Sequence, residues 1–232
     1  MRKRKRSKTA DKILLAYDLF GFEGFIVYGR QGAGKSQYAM WVAYDVLGDW
    51  DAVLQSIVFD IKDLVEALRG ERKKIIIWDD AGIHGSKYIW FTDQEYVLLL
   101  AQLFDLIRTR TASMIITTPS IKNLLHFLRW QVDWHVIKIV KATGRNLPLR
   151  RLARVYKQSI TPEGRRLVRH IYDEYFTLNR IPEHVLDAYY KERDYWAKIA
   201  VAKLKAYIEK AKNKEKKELK NLEAIISTRG DD

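Results

Sequence analysis

The segment that most narrows the folds open to this chain is Phe25-Ile26-Val27-Tyr28 running straight into Gly29-Arg30-Gln31-Gly32-Ala33-Gly34-Lys35-Ser36. An apolar run bounded by glycine reads as a buried strand. The stretch that follows is a complete G-x-x-x-x-G-K-[ST] pattern, and each fixed position has a physical reason. Glycines let backbone N–H groups turn inward around phosphates, the Lys35 ammonium reaches β and γ oxygens, and the Ser36 hydroxyl is a hard ligand for Mg²⁺. Gln31 and Ala33 fill free positions. Gln37-Tyr38-Ala39-Met40-Trp41-Val42-Ala43-Tyr44 reads as a helix whose positive N-terminal end faces the same anion. Strand, loop and helix in this order imply a nucleoside triphosphate site. Its expected ATP-binding residues are Gly29, Gln31, Gly32, Ala33, Gly34, Lys35, Ser36 and Gln37, with Ser36 also on the metal.

A chain of 232 residues suits one domain of ordinary size with an appendage. Its 42 Lys and Arg against 29 Asp and Glu leave a formal charge of +13. That excess favours an anionic partner, nucleic acid or a membrane surface, and charge alone does not choose between them. No apolar stretch is long enough to span a bilayer, and the basic run Met1 to Arg6 leads into the amphipathic segment Asp11 to Phe20 instead of a signal-peptide core. The expectation is a soluble cytoplasmic chain without an integral membrane segment, in the host cytoplasm if the source is a virus. Zero Cys excludes disulfides, thiolate zinc sites and cysteine nucleophiles, and five scattered His argue against a histidine metal site.

Residues 1–10 read as a basic disordered arm, because adjacent like charges repel. After the first helix, Ala52 to Phe59 reads as extended and Ile61 to Arg69 as a short helix, a second β-α unit. Lys73-Lys74-Ile75-Ile76-Ile77-Trp78-Asp79-Asp80 is a continuous apolar strand ending in two acids, as expected of a strand buried on both faces of a parallel sheet. Val97, Leu100, Phe104 and Ile107 place a helix over Gln94 to Arg108. Ser113 to Ser120 is another buried strand, followed by a helix from Ile121 to Trp130. Trp134 to Val140 and Arg151 to Gln158 read as strands at one margin of the sheet, joined across the Gly144-Arg145-Asn146 turn. Thr161 to Arg180 is mixed in pattern, and a long charged helix runs from Pro182 to about Lys220. The expected organisation is an arm over 1–10, a nucleotide-binding core over 11–160 and a helical C-terminal extension over 161–232. The expected fold class is α/β, a three-layer α/β/α arrangement with a mainly parallel sheet, antiparallel strands at one edge and a C-terminal helical appendage.

Phosphoryl transfer also needs an acid that organises Mg²⁺ and a group that orients the attacking water. Asp79 is the candidate for the metal, with Ser36, and Asp80 for the base, with Asp93 or Glu95 as substitutes. Of the Thr117-Thr118 pair, Thr118 is the candidate γ-phosphate sensor if its strand lies between the phosphate-loop strand and the Asp79 strand. Among Arg108, Arg110 and Arg129, the first and last are favoured as guanidinium groups acting on a neighbouring subunit's phosphate. Arg145, Arg150, Arg151, Arg154, Lys157, Arg165, Arg166 and Arg169 suit contact with a phosphate backbone without base reading. Trp90, Trp130, Trp134 and Trp196 read as core.

An acid-ended strand separated from the loop by a β-α unit, with a polar-ended strand after it, resembles the additional-strand division of P-loop NTPases. Within it the chain is similar to the HerA/FtsK superfamily, including zonula occludens toxin-like and viral genome-packaging ATPases of archaeal viruses and plasmids. The residues that carry this are Gly29 to Ser36, Ile75 to Asp80, Ile115 to Ser120 and Leu128 to His135. The resemblance implies a homo-oligomeric ring of six or five subunits that spends ATP, with Mg²⁺, to move double-stranded DNA with little regard to sequence, together with a capsid or replication partner. The chain has Asp79-Asp80 where members commonly carry Asp-Glu, and Thr118 where they carry glutamine. Two other readings stand beside it: an AAA+-like replication initiator or helicase loader, and a nucleotide-dependent assembly or membrane-associated morphogenesis protein whose long helix binds a partner.

Overall fold

The computed structural model describes residues 6–81, 93–129, 131, 134–141 and 149–228, the side chains of 203, 211 and 213–228 excepted. Met1–Leu186 form one compact unit and Asp187–Asp232 a second. In the first, the described strands make one seven-stranded sheet. They are β1 (Glu23–Tyr28), β2 (Ile57–Val58), β3 (Ile76–Trp78), β4 (Ser113–Thr118), β5 (His135–Lys141), β6 (Arg150–Ile160) and β7 (Arg166–Thr177), in the order β2-β3-β4-β1-β5-β6-β7. β2, β3, β4, β1 and β5 are parallel, whereas β6 and β7 join antiparallel. The expected α/β class with an antiparallel margin is what forms.

The helices are α1 (Lys8–Asp18), α2 (Lys35–Leu47), α3 (Trp50–Gln55), α4 (Ile61–Ala67), α5 (Gln94–Asp105), α6 (His126–Arg129) and α7 (Glu183–Thr228). α1 and α2 cover one face of β1 and β4. On the other face, Ile26, Ile76, Trp78, Met114 and Ile116 share a core with Leu64, Val97, Leu100, Phe104 and Leu128 of α4, α5 and α6. The result is three layers. β4 is buried at all six positions, as befits a central strand covered on both faces. The parallel arrangement sends the C-terminal ends of β1, β3 and β4 to one edge, where open α/β sheets bind ligands.

Several expectations change. Residues 52–55 are helical, not extended: the Asp49 carboxylate caps α3 by accepting from Ala52 N at 2.9 Å, and only Ile57 and Val58 remain as strand. The helix expected over 121–130 is a 3-10 turn at Ile121–Asn123 and then α6, because Leu124 turns extended and is buried together with Leu125.

The helical extension expected from residue 161 begins instead with a strand. Thr161 N donates to Arg165 O at 2.9 Å around Gly164, which takes φ 79°, and β7 then alternates buried Tyr172, Glu174 and Phe176 with exposed neighbours. Nor are residues 7–10 a free arm. Ser7 caps α1 through Ala10 N, and Thr9 and Ala10 are fully buried; only residues 1–5 of that segment lie outside the described part.

The second unit is the body of α7, with Lys198 Nζ 2.5 Å from Asp194 and Trp196 Nε1 donating to Glu192 Oε1 at 3.0 Å. Trp196 is half-buried there instead of being a core residue. Among the described residues no helix is long and apolar enough to cross a membrane. Trp90, Trp130 and the Gly144 to Asn146 turn lie outside them.

Candidate functional site

β1 delivers the glycine-rich loop at the centre of the sheet's C-terminal edge, with β4 on one side and β5 on the other. Gly29 has φ 154°, and a Cβ there would stand 2.7 Å from the carbonyl oxygen of Ile139 in β5. Only glycine lets the chain pass so close to a neighbouring backbone. Gly34, at φ 96°, is the left-handed N-cap of α2; a Cβ there would meet Leu178 Cδ2 at 2.6 Å. No side chain caps α2, so its first backbone N–H groups open onto the loop. Ala33 is buried, whereas Gln31 is exposed and Gln37 partly covered.

Lys35 is nearly buried and folds over the loop, its ammonium donating to the carbonyls of Gly29 and Arg30 at 3.2 Å each. Those bonds hold the cation where the loop closes. Beside it, the Ser36 hydroxyl donates to Asp79 Oδ1 at 2.8 Å. The two residues lie 43 apart in sequence and meet because β3 ends level with the start of α2. Asp79 is 1% exposed, and its backbone N–H donates to Val58 O of β2 at 2.9 Å. A buried carboxylate held this way between hydroxyl donors is a ready oxygen ligand for a hard cation, with Ser36 as the second.

β4 lies between the strands that carry Lys35 and Asp79, the arrangement on which the threonine pair's role depends. The hydroxyl that reaches the acid is, however, that of Thr117. Its Oγ1 donates to Asp79 Oδ1 at 2.6 Å and accepts from Asp80 N at 2.9 Å, while its carbonyl accepts from Ala81 N at 3.1 Å. Thr118 points elsewhere and donates to Ser120 O at 3.1 Å, which closes the end of the strand. Asp80 sits in the left-handed region at φ 48°, a conformation that Asp tolerates better than most residues. Asp93 is the N-cap of α5, accepting from Tyr96 N at 2.9 Å, and Glu95 is exposed in the first turn of that helix. Burial, then the nearby Asp60 and Asp93, push the Tyr96 phenol up to about 12.

Arg108 is not brought to this corner. Arg108 lies in the 3-10 turn before β4, at the N-terminal edge of the sheet, where its carbonyl accepts from Arg72. A six-residue β4 puts that edge about 20 Å away. Arg129 ends α6 on the crossover that returns to the start of β5.

Sequence reading assigned Arg151 to a surface and missed its structural role. It is 6% exposed, and its Nε donates to Ala33 O at 3.1 Å. Because C=O and N–H point opposite ways across a trans peptide, this bond turns the Gly34 N–H away from Arg151. A second support joins α1, α2 and β7 behind the loop. The Glu174 carboxylate accepts from Thr9 N (3.0 Å), Thr9 Oγ1 (2.9 Å) and Tyr38 Oη (2.6 Å), all buried. Burial and then Glu174 raise the Tyr38 phenol well above its ordinary range, so it stays a donor. The sequence around Glu174 is mixed in pattern and gives no signal for this clasp; the period-two alternation of β7 is one of burial.

No family model matches the chain. The chain is similar to the uncharacterized protein B-251 of Sulfolobus spindle-shape virus 1, with 34% identity over 143 residues, 56% of each chain. It is also similar to the uncharacterized protein ORF286 of Acidianus two-tailed virus, with 34% identity over 157 residues, 65% of this chain and 54% of that one. The chain thus spans little more than half the length of these curated relatives. Among solved structures, a KaiC-like protein, PH0186, of Pyrococcus horikoshii OT3 aligns over 72% of this chain and 86% of its own, at 15% identity and a TM-score of 0.24, a likeness too slight to bear on the site.

Proposed function

We propose that the chain binds Mg²⁺ and ATP at the corner between α2 and β3 and hydrolyses the nucleotide to move double-stranded DNA, as a motor of the HerA/FtsK type. The observation that carries this reading is the meeting of Ser36 and Asp79 at 2.8 Å beside Lys35, across an inserted β4. The loop from Gly29 to Gln37 would cradle the phosphates, Lys35 would leave its own carbonyls for phosphate oxygens, and Ser36 and Asp79 would share the metal. The metal's contribution is to neutralise charge on the phosphates. Thr117 holds the Asp79 carboxylate in register and ties it to the backbone of Asp80, the proposed base. Thr118 keeps a place as sensor only if its hydroxyl leaves Ser120.

The net charge of +13 supports DNA as the partner, and the two viral relatives suit a genome-handling role. A ring of six or five copies would let Arg108 or Arg129 act on the phosphate of a neighbour, a role that suits the distance of Arg108 from the corner of its own chain. The exposed Val201, Leu204, Tyr207 and Ile208 of α7 are the segment on which a capsid or replication protein would dock. Steady-state ATP hydrolysis with and without duplex DNA tests the reading. Stimulation by DNA that disappears in Lys35→Ala supports it; hydrolysis indifferent to DNA, or unchanged in that variant, refutes it.

A further inference from the structure

We infer that the outer ribbon of the sheet, β6 and β7 from Arg154 to His170, is the surface that grips duplex DNA by its phosphates. This rests on the motor reading and adds to it where the DNA is held.

Among the described residues, the tip of the ribbon runs past the end of β5. β5 pairs with β6 as far as Lys157, and Gln158 N makes a last bond to Trp134 O at 3.1 Å. β7 is the terminal strand of the sheet order. From Tyr172 to Phe176 it alternates buried and exposed residues, but from Arg166 to Ile171 all six are exposed. The register shifts at Val155/Tyr156, between the covered half and the open half. An open strand edge invites pairing with another chain unless charge guards it. Here charge guards it heavily: Arg154, Lys157, Arg165, Arg166 and Arg169 stand against Glu163 alone between Arg154 and His170.

The placement of those cations matters more than their sum. The register sets Lys157 directly opposite Arg169, a like-charge pair that weakens a hairpin by itself. Alternation along β6 puts Lys157 on one face and Arg154, which stands opposite Asp173, on the other; Arg166, opposite Ile160, shares the Arg154 face and donates to Gln158 Oε1. Both faces therefore present cations. A two-stranded ribbon fits the major groove, which is about 12 Å wide and walled by phosphates on both sides. Cations on two faces reach both walls, whereas a flat membrane surface would meet only one. Neutral hydrogen-bonding side chains that would read base edges are scarce on the open half, where the remaining exposed residues include Ile160, Leu167, Val168 and Ile171. Sequence-blind contact is the consequence.

The ribbon lies at the far end of the strands that support the nucleotide loop. Arg151, on the same β6, holds Ala33 O, and residues 151 to 160 span about 30 Å at the usual rise. Changes at the tip therefore leave the Lys35 corner untouched.

The test is binding of a labelled mixed-sequence duplex by the full chain over a series of salt concentrations, with ATP affinity and thermal midpoint measured on every variant. R165Q/R166Q/R169Q is expected to lower affinity at low salt at least about tenfold and to flatten the slope of log K against log salt by about 2 to 3, as removal of three phosphate contacts requires. It should retain its ATP affinity and midpoint. R165K/R166K/R169K should restore both slope and affinity, and K205Q/K210Q/K212Q on α7, with the same change of charge, should bind as the unaltered chain does. An unchanged slope in the Gln variant, an equal loss in the α7 variant, or tighter binding to single strands than to duplex overturns the inference. DNA held through the ribbon by a chain that hydrolyses no ATP would refute the motor reading and leave the ribbon standing.

Discussion

The nucleotide corner and the clasp behind it are built from opposite materials. Gly29 to Ser36 is one contiguous run, and its shape follows from local backbone freedom at Gly29 and Gly34. The clasp is assembled from afar: Thr9 meets Glu174 across 165 positions, Tyr38 meets it across 136, and Arg151 meets Ala33 across 118. The difference teaches that a phosphate loop is specified locally but held in place globally. Its chemistry is expected to fail when a loop residue changes, and its stability when the distant clasp does.

The sharpest separation of the two comes from Lys35→Ala. On the proposed reading, loss of the cation that would face the phosphates should lower steady-state ATP hydrolysis by about 10²- to 10³-fold, while the thermal midpoint barely moves. Asp79→Asn should follow, with a loss of about 10²-fold in hydrolysis, since Ser36 and Thr117 then face a neutral amide. On the other side of the comparison, Glu174→Ala leaves buried donors on Thr9 and Tyr38 without their acceptor. It should cost about 1–3 kcal/mol in urea unfolding. Hydrolysis per folded chain should stay close to that of the unaltered chain. A Glu174→Ala chain that is as stable as its parent would break the distinction.

The smallest effect sharpens it within one strand. Thr117→Val keeps the shape and removes the bridge between Asp79 and Asp80, so hydrolysis should fall by about tenfold, the equivalent of one lost hydrogen bond to a charged group. Thr117→Ser should recover most of it. Thr118→Val should change the rate by less than about twofold, because its hydroxyl donates to Ser120 O and, among the described residues, not to Asp79. Equal effects of the two valine variants would contradict the assigned geometry.

The Thr117 and Thr118 pair also shows where reading the sequence stops. That β4 is a central strand is plain from Met114, Ile115 and Ile116. Because all six positions are buried, hydrophobic alternation carries no record of which face each hydroxyl takes. The choice between adjacent threonines depends on the pleat, which the sequence pattern leaves open. Asp79 raises no such difficulty, since an acid ending an apolar strand announces its edge. Arg151 was legible as a cation but not as a buried one; its burial follows from its place opposite Phe176, on a strand whose partner β7 was hidden in a mixed pattern. For the same reason Glu174 resembled any surface carboxylate. α3 was obscured by β-branched Val53 and by its run into the strand residues Ile57 and Val58, and the Asp49 cap outweighed the strand preference of Val53 alone.

The central claim is that Ser36 and Asp79 meet in order to share a cation with a triphosphate. Calorimetric titration of ATP into the unaltered chain and into Asp79→Asn, each with and without Mg²⁺, addresses it directly. The account predicts tighter binding with Mg²⁺ in the unaltered chain and a loss of that dependence in the variant. Equal affinity with and without the metal in the unaltered chain, or full Mg²⁺ dependence in Asp79→Asn, would contradict it.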